Sequence, residues 1–339
     1  MGPTASHSQR TRSRSKGGSL FDEESAGAAS HYPSPSQTLR EYNMEEIRDQ
    51  RVGALECVLC GGLEHRAIYN EWGIDVVQCR RCRHIFSSFS ANPHYDGFWG
   101  EEVARDDHFY WNEARVKMHR DFFERFVAGR SGRLLDVGCG LGFFLKGIAS
   151  YSKWEAYGCE ISPAAARYAR DVLGLPRVLS GRLEDTDLPQ SYFDLITLWD
   201  VLEHFLYPDA LLRRCYALLK EGGSCFIHTP NVRVQLARAR MVKVLRGMRA
   251  DVTYLQARDH LHLFSMSSIR RLLETVGFSR VEFMHLHPVQ SISGSQSILL
   301  RGVKNVWFEA ARALSVVSRG HLNFDNLFVL ARKDPHKGC

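Results

Sequence analysis

Asp136 stands two positions ahead of three alternating glycines, Gly138, Gly140 and Gly142, with Cys139 and Leu141 between them. Apolar Leu134 and Leu135 come before this run, and Phe143, Phe144 and Leu145 follow it. The pattern predicts a strand, a tight turn and a helix, the opening unit of a doubly wound α/β domain. Glycine removes Cβ where a turn needs unusual dihedrals and where backbone must lie against a ligand. A dinucleotide turn is spaced G-x-G-x-x-G, which would put its third glycine at position 143, here Phe143. The spacing therefore disfavours a nicotinamide dinucleotide and leaves another nucleotide-type cofactor, or a glycine-rich turn with no ligand.

Glu160 closes the next predicted strand, ahead of Ser162 and Pro163, which can cap and start a helix. An acidic side chain at this strand end can take ribose hydroxyls. Further on, Trp199-Asp200-Val201-Leu202-Glu203-His204 follows the apolar run from Phe193 and falls at the carboxyl end of a predicted strand, where ligands of open α/β sheets bind. His204 is a candidate general base because histidine titrates near neutrality; a hydrogen-bonded residue starting a helix is the plainer reading. Asp200, Glu203 and His204 form a second grouping that could hold a divalent cation. His260 and His262 alternate, so on an extended segment they would face the same way and could reach a substrate.

Cys57, Cys60, Cys79 and Cys82 are spaced C-x2-C-x18-C-x2-C. Two such knuckles can share one tetrahedral, structural Zn2+, with a hairpin between them. His84 lies just beyond the second knuckle.

These motifs, in this order, resemble the class I S-adenosyl-L-methionine (SAM)-dependent methyltransferases. The likeness runs over about 130–285 and is closest in the segment Phe193–Asn231, which is similar to small-molecule enzymes such as the ubiquinone-biosynthesis O-methyltransferases. The resemblance implies a Rossmann-like seven-stranded sheet with strand 7 antiparallel. It also implies SAM as cofactor, with Asp136, Gly138, Cys139, Gly140, Gly142, Glu160 and Asp200 around it and Leu183 and Glu184 at the adenine edge. That segment carries Gly181-Arg182 where the family often has Gly-Asp. The implied reaction is methylation of a small-molecule acceptor, foremost a hydroxyl, with His204, Asp200, His260 and His262 as candidate catalytic residues. The cysteine pairs resemble the small zinc-binding domain that precedes some bacterial methyltransferases. A zinc-ribbon nucleic-acid-binding or RNA-modifying protein on the same fold is the alternative; no N/D-P-P-Y base-methylation motif is present.

The elements that must position these residues divide the chain as follows. Residues 1–45 are rich in Ser, Arg, Gly and Pro and read as a disordered tail. A zinc-ribbon-like domain occupies 50–90. An aromatic linker or cap spans 91–130, with a helix predicted over 112–127 by apolar residues at helical spacing. The methyltransferase domain covers 131–335. Its helix after Tyr207-Pro208 is expected to be capped by Glu221-Gly222-Gly223, with a strand starting at Ser224. A basic insertion or lid at 232–262 has arginines interleaved with apolar residues, which suits a packed helix, a substrate lid or, over 232–250, a membrane surface. Strands at 281–286 and 326–332 end the sheet, with a helical stretch near 303–317 between them. The net charge of +6 permits an acidic partner without demanding one and gives no strong nucleic-acid signal. Nine cysteines, mostly in apolar surroundings, and the lack of a signal-peptide apolar region predict a reducing, cytoplasmic setting.

Overall fold

The computed structural model describes residues 55–89, 111–246, 254–289, 326–335 and most of 306–317. The tail expected over 1–45 and the aromatic residues Tyr95, Phe98, Trp99, Phe109 and Tyr110 lie outside the described residues.

The large sheet is built from β4 (Gly132–Val137), β5 (Trp154–Glu160), β6 (Val178–Ser180), β7 (Phe193–Trp199), β8 (Leu219–Thr229), β10 (Arg280–Met284) and β11 (Leu327–Arg332). Its order is β10-β11-β8-β7-β4-β5-β6. The strands from β8 to β6 are parallel, and β11 runs antiparallel to both β8 and β10. This is the class I Rossmann-like methyltransferase sheet, with its last strand reversed. Strands buried on both faces read as continuous apolar runs: in β7 every residue except Asp194 is buried.

Helices α1 (Val116–Phe122), α2 (Phe143–Ala149), α3 (Pro163–Asp171), α4 (Pro208–Leu218), α5 (Val232–Arg246) and α6 (Met266–Val276) connect or cover these strands. Their ends follow local chemistry. Ser162 Oγ accepts the Ala165 N–H and Pro163 opens α3. Ser265 and Ser268 form a reciprocal capping pair at the start of α6, and Gly277 closes it. Phe122, Phe144, Trp199 and Phe226 meet edge to face or tilted, with centroids 4.8–5.4 Å apart, and pin α1 onto the sheet.

Two expectations need correction here. Glu221-Gly222-Gly223 does not cap α4: the helix ends at Leu218, and β8 starts at the next residue. The glycines sit inside β8, where the register with β7 jumps between Leu219 and Ser224, and Gly222 and Gly223 exchange backbone bonds with Lys333. A glycine pair thus marks a bulge rather than a helix stop. The strand expected at 281–286 is β10, which ends at Met284.

A second sheet joins two distant parts of the chain. β1 (His65–Glu71), β2 (Ile74–Cys79) and β3 (Ile85–Ser87) form the meander carrying the cysteines. β9 (His262–Leu263) adds to its edge, pairing Ile85 with Leu263 and Phe86 with His262. Tyr69, Ile74, Val76 and Ile85 share an apolar cluster with Val232, Ala239, Leu255, Ala257 and Leu263. The insertion at 232–262 is therefore docked on the cysteine module.

Candidate functional site

The first half of the site is made of backbone. Val137, Cys159 and Leu198 stand in register, so β4, β5 and β7 end at one level, beside the point where strand order reverses. Gly138, at φ +68°, starts the turn, and a Cβ there would lie 2.6 Å from Val201 Cγ2. Gly142, at φ +87°, packs against Leu175 and Ala169, which a Cβ would meet at 2.8–2.9 Å. At both positions dihedral and space disfavour any residue with a Cβ. Glu160, 6% exposed, reaches across to accept the N–H of Gly140 on Oε2 (2.7 Å) and of Ser162 on Oε1 (2.9 Å). Burial raises its pKa, against those donors. Asp136 is buried with Oδ1 2.6 Å from Thr197 Oγ1, and burial pushes it up to about 8.

The Leu183 side chain is in the core, which leaves only its backbone for a ligand, while Glu184 is exposed. Cys139 is buried between the strand ends. Glycines with accessible backbone at Gly138 and Gly140, and a carboxyl group poised at the strand end, fit a nucleoside with a zwitterionic tail.

Asp200 is held between two basic side chains. Its φ is +52°, and its two oxygens lie 2.8 Å from Arg115 Nη2 and 2.9 Å from His228 Nδ1. Burial opposes its charge, but His228 and Arg115 outweigh that and hold it well below the usual carboxylate range. Arg115 is 2% exposed and stacks on Trp111 at 4.4 Å. Asp200 thus anchors the helix preceding the sheet. Trp111 is one of the aromatic residues of the 91–130 linker or cap, whereas Arg115 and His228 carry no local mark in the sequence.

The metal-type grouping is also corrected. The atoms within 4.8 Å of one another belong to Glu203, His204 and His260, with His260 in the place expected for Asp200. Glu203 is 1% exposed; its Oε2 accepts from Thr229 Oγ1 (2.9 Å), and its Oε1 has no hydrogen-bond partner among the described residues. Burial and nearby Asp200 raise its pKa well above normal. His204 Nδ1 lies 2.9 Å from the Asp259 carbonyl. A carbonyl only accepts, so Nδ1 carries the proton and Nε2 keeps a lone pair. His260 meets His204 edge to face at 4.9 Å and bonds the Leu255 backbone; burial pushes it down to about 3. Burial also lowers His204. Two neutral imidazoles and a carboxyl group with a vacant oxygen can take a proton from a hydroxyl or hold a divalent cation.

His260 and His262 do not face the same way. His260 joins His204, whereas His262 Nδ1 lies 3.2 Å from His84 Nε2, with its own Nε2 against the Leu206 carbonyl (3.3 Å). Only His262 is in β9; His260 lies in the preceding turn, so the alternation rule does not apply. His84 is thereby occupied outside the cysteine cluster.

Cys57, Cys60, Cys79 and Cys82 converge, with sulfur pairs 3.4 and 3.5 Å apart. Tetrahedral zinc–thiolate bonds put sulfurs at about 3.8 Å. Backbone groups of Leu59, Arg81, Cys82 and His84 hydrogen-bond these sulfurs, and a Cβ on Gly62 would lie 3.3 Å from two of them. The donor set fits one zinc ion.

A family model described as a methyltransferase domain matches residues 110–282. A Mycolicibacterium smegmatis protein named "Probable S-adenosylmethionine-dependent methyltransferase" is 23% identical over 50% of this chain and 59% of its own. The ubiquinone biosynthesis O-methyltransferase of Alkalilimnicola ehrlichii is 33% identical over 33% of this chain and 47% of its own. The chain thus spans about half the length of the curated relatives it matches. A SAM-dependent methyltransferase structure from Archaeoglobus fulgidus aligns at TM-score 0.43 and 20% identity, over 67% of this chain and 98% of that one. With just over half its length matched by the family model, the chain belongs to the methyltransferase-domain family.

Proposed function

We propose that the chain transfers a methyl group from SAM to a small-molecule acceptor, most directly a hydroxyl. The observation that carries this is the meeting of a backbone cradle, Gly138 to Gly142 with Glu160, and a neutral histidine pair with Glu203 at the ends of neighbouring strands. Bound in the cradle, SAM supplies an already activated methyl group, so the protein's main task is alignment. Gly138 and Gly140 give backbone access, and Glu160 offers its remaining lone pairs to ribose hydroxyls. His204 Nε2 is the group assigned to take the acceptor proton, with the Asp259 carbonyl fixing its tautomer. A divalent cation held by Glu203, His204 and His260 would serve the same end by lowering the acceptor's pKa.

The distant O-methyltransferase relatives support a hydroxyl acceptor and leave its skeleton open. On α5, Met241, Val244 and Leu245 are exposed, which supports contact with an apolar or lipid-like surface. Co-sedimentation with anionic vesicles tests that contact: equal behaviour of the protein and a Val244→Asp, Leu245→Asp variant would end it.

Calorimetric titration with S-adenosylhomocysteine, alongside Glu160→Ala, tests the main reading. Micromolar binding lost in the variant supports it; no binding to folded, zinc-loaded protein overturns it.

A further inference from the structure

The cysteine module holds the turn that presents His260. Glu71 ends β1, is 2% exposed and lies far from the glycine turn in sequence. Its Oε1 accepts the N–H of Tyr254 (2.5 Å) and of Leu255 (2.8 Å), and its Oε2 accepts the N–H of Ala257 (2.8 Å). Ser87 adds to this grip: its Oγ donates to the Ala257 carbonyl, and its N–H donates to the Leu261 carbonyl at 3.0 Å. The β3–β9 pairing then fixes His262 and Leu263.

The opposite side of this clamped turn faces the acceptor histidines. Leu255, held through its N–H by Glu71, is bonded through its backbone by the His260 ring. Gln256 accepts the N–H groups of Asp259 and His260, and the Asp259 carbonyl binds His204 Nδ1. A buried carboxyl group that satisfies three backbone donors costs desolvation that plain packing would avoid. Here it orders a turn otherwise free to choose its hydrogen bonds.

We propose that the four-cysteine module is the positioning element of the acceptor wall, and that Glu71 is its positioning residue, acting through residues 254–257 on His260 and His204. The inference rests on the reading above that these histidines face the acceptor. Zinc held by Cys57, Cys60, Cys79 and Cys82 would act at a distance by closing the knuckles; the knuckles set β2 and β3, and the sheet sets the turn.

The test is ring-nitrogen NMR of histidine-labelled full-length protein at pH 7.5, comparing the natural chain with Glu71→Gln. His204→Asn and His260→Asn assign the signals. Zinc stoichiometry and S-adenosylhomocysteine calorimetry are run on the same samples. The expected result is one fixed tautomer for His204 and for His260 in the natural chain. In Glu71→Gln both are expected to average, with ring-proton exchange faster by roughly tenfold or more, while zinc content stays the same and cofactor affinity changes by less than about threefold. A purely structural role would not move the tautomer while sparing zinc and cofactor. Unchanged histidine signals in Glu71→Gln overturn the proposal. If that variant does not fold, Ser87→Ala decides by the same signals: loosening of His260 supports the proposal, and no change overturns it. Failure of both proteins to bind S-adenosylhomocysteine would remove the SAM reading yet leave the histidine comparison decisive for the clamp.

Discussion

The two halves of the site are built in opposite ways. The cofactor half is local: residues 136–160 supply a strand, a turn, a helix and the carboxyl group that ties them, and much of its surface is backbone. The half proposed for the acceptor is assembled from side chains of β1, β3, the turn after β7 and the segment 254–263, with the hydrogen-bonded Glu71 and Ala257 186 positions apart in sequence. A backbone cradle tolerates little change because glycine dihedrals set it. A wall of side chains can be altered one residue at a time, so substrate choice can vary while the cofactor stays the same.

Removing zinc should test this division most severely, because structural zinc contributes about 10–16 kcal/mol to the domains that depend on it. Chelation is expected to unfold β1–β3 and release residues 254–263, while S-adenosylhomocysteine binding survives. Amide exchange read beside calorimetry checks this; equal loss in both halves would break the comparison. Next in size is His204→Ala, expected to lower turnover by about 10²–10⁴-fold with cofactor affinity unchanged. Steady-state rates on an acceptor found by screening, set against the dissociation constant, separate the two effects.

Gly138→Ala should damage the other half. The φ of +68° and the 2.6 Å approach to Val201 together cost about 2–4 kcal/mol, read as a lower Tm and weaker S-adenosylhomocysteine binding. The Glu203–His204–His260 side should keep its NMR tautomers in this variant.

Acid should act through the buried histidines of both halves. Burial pushes His119, which packs on α1 against Phe144 and Trp199, and His260 down to about 3 and His262 to about 4, whereas unfolded histidine titrates near 6.5. Between those values the unfolded chain holds more protons, so stability falls as pH drops through about 6.5. Asp136, raised to about 8, acts with the opposite sign, because its folded form keeps a proton that the unfolded chain gives up. Glu160, Glu203 and Asp259, also raised by burial, act with Asp136, but the lowered histidines, with His84 and His204 among them, are five against these four, and Tm measured against pH should decline from about 6.5 towards 4.

Legibility in the sequence followed the same division. The glycine turn, Glu160 and the cysteine knuckles could be read because their geometry comes from neighbours a few residues apart. The antiparallel end of the sheet followed from the resemblance as a whole. The pairing of Asp200 with Arg115 and His228 is not legible, because these partners lie 85 and 28 positions away and carry no mark of a pair. Glu71 had no signal at all: at the end of a short strand it reads as an ordinary solvated carboxylate, and only the docked insertion buries it.

The pairing of β3 with β9 also has a consequence for how the protein is made. On the ribosome, β1, β2 and β3 emerge early, yet the strand that completes their sheet follows nearly 180 residues later. Until then the edge of β3 and the apolar face of Tyr69, Ile74 and Val76 lack their partners, and an open edge of this kind invites other chains. Zinc captured by the two knuckles can hold the nascent meander together during that wait. The supply of zinc during translation would then set the yield of folded protein.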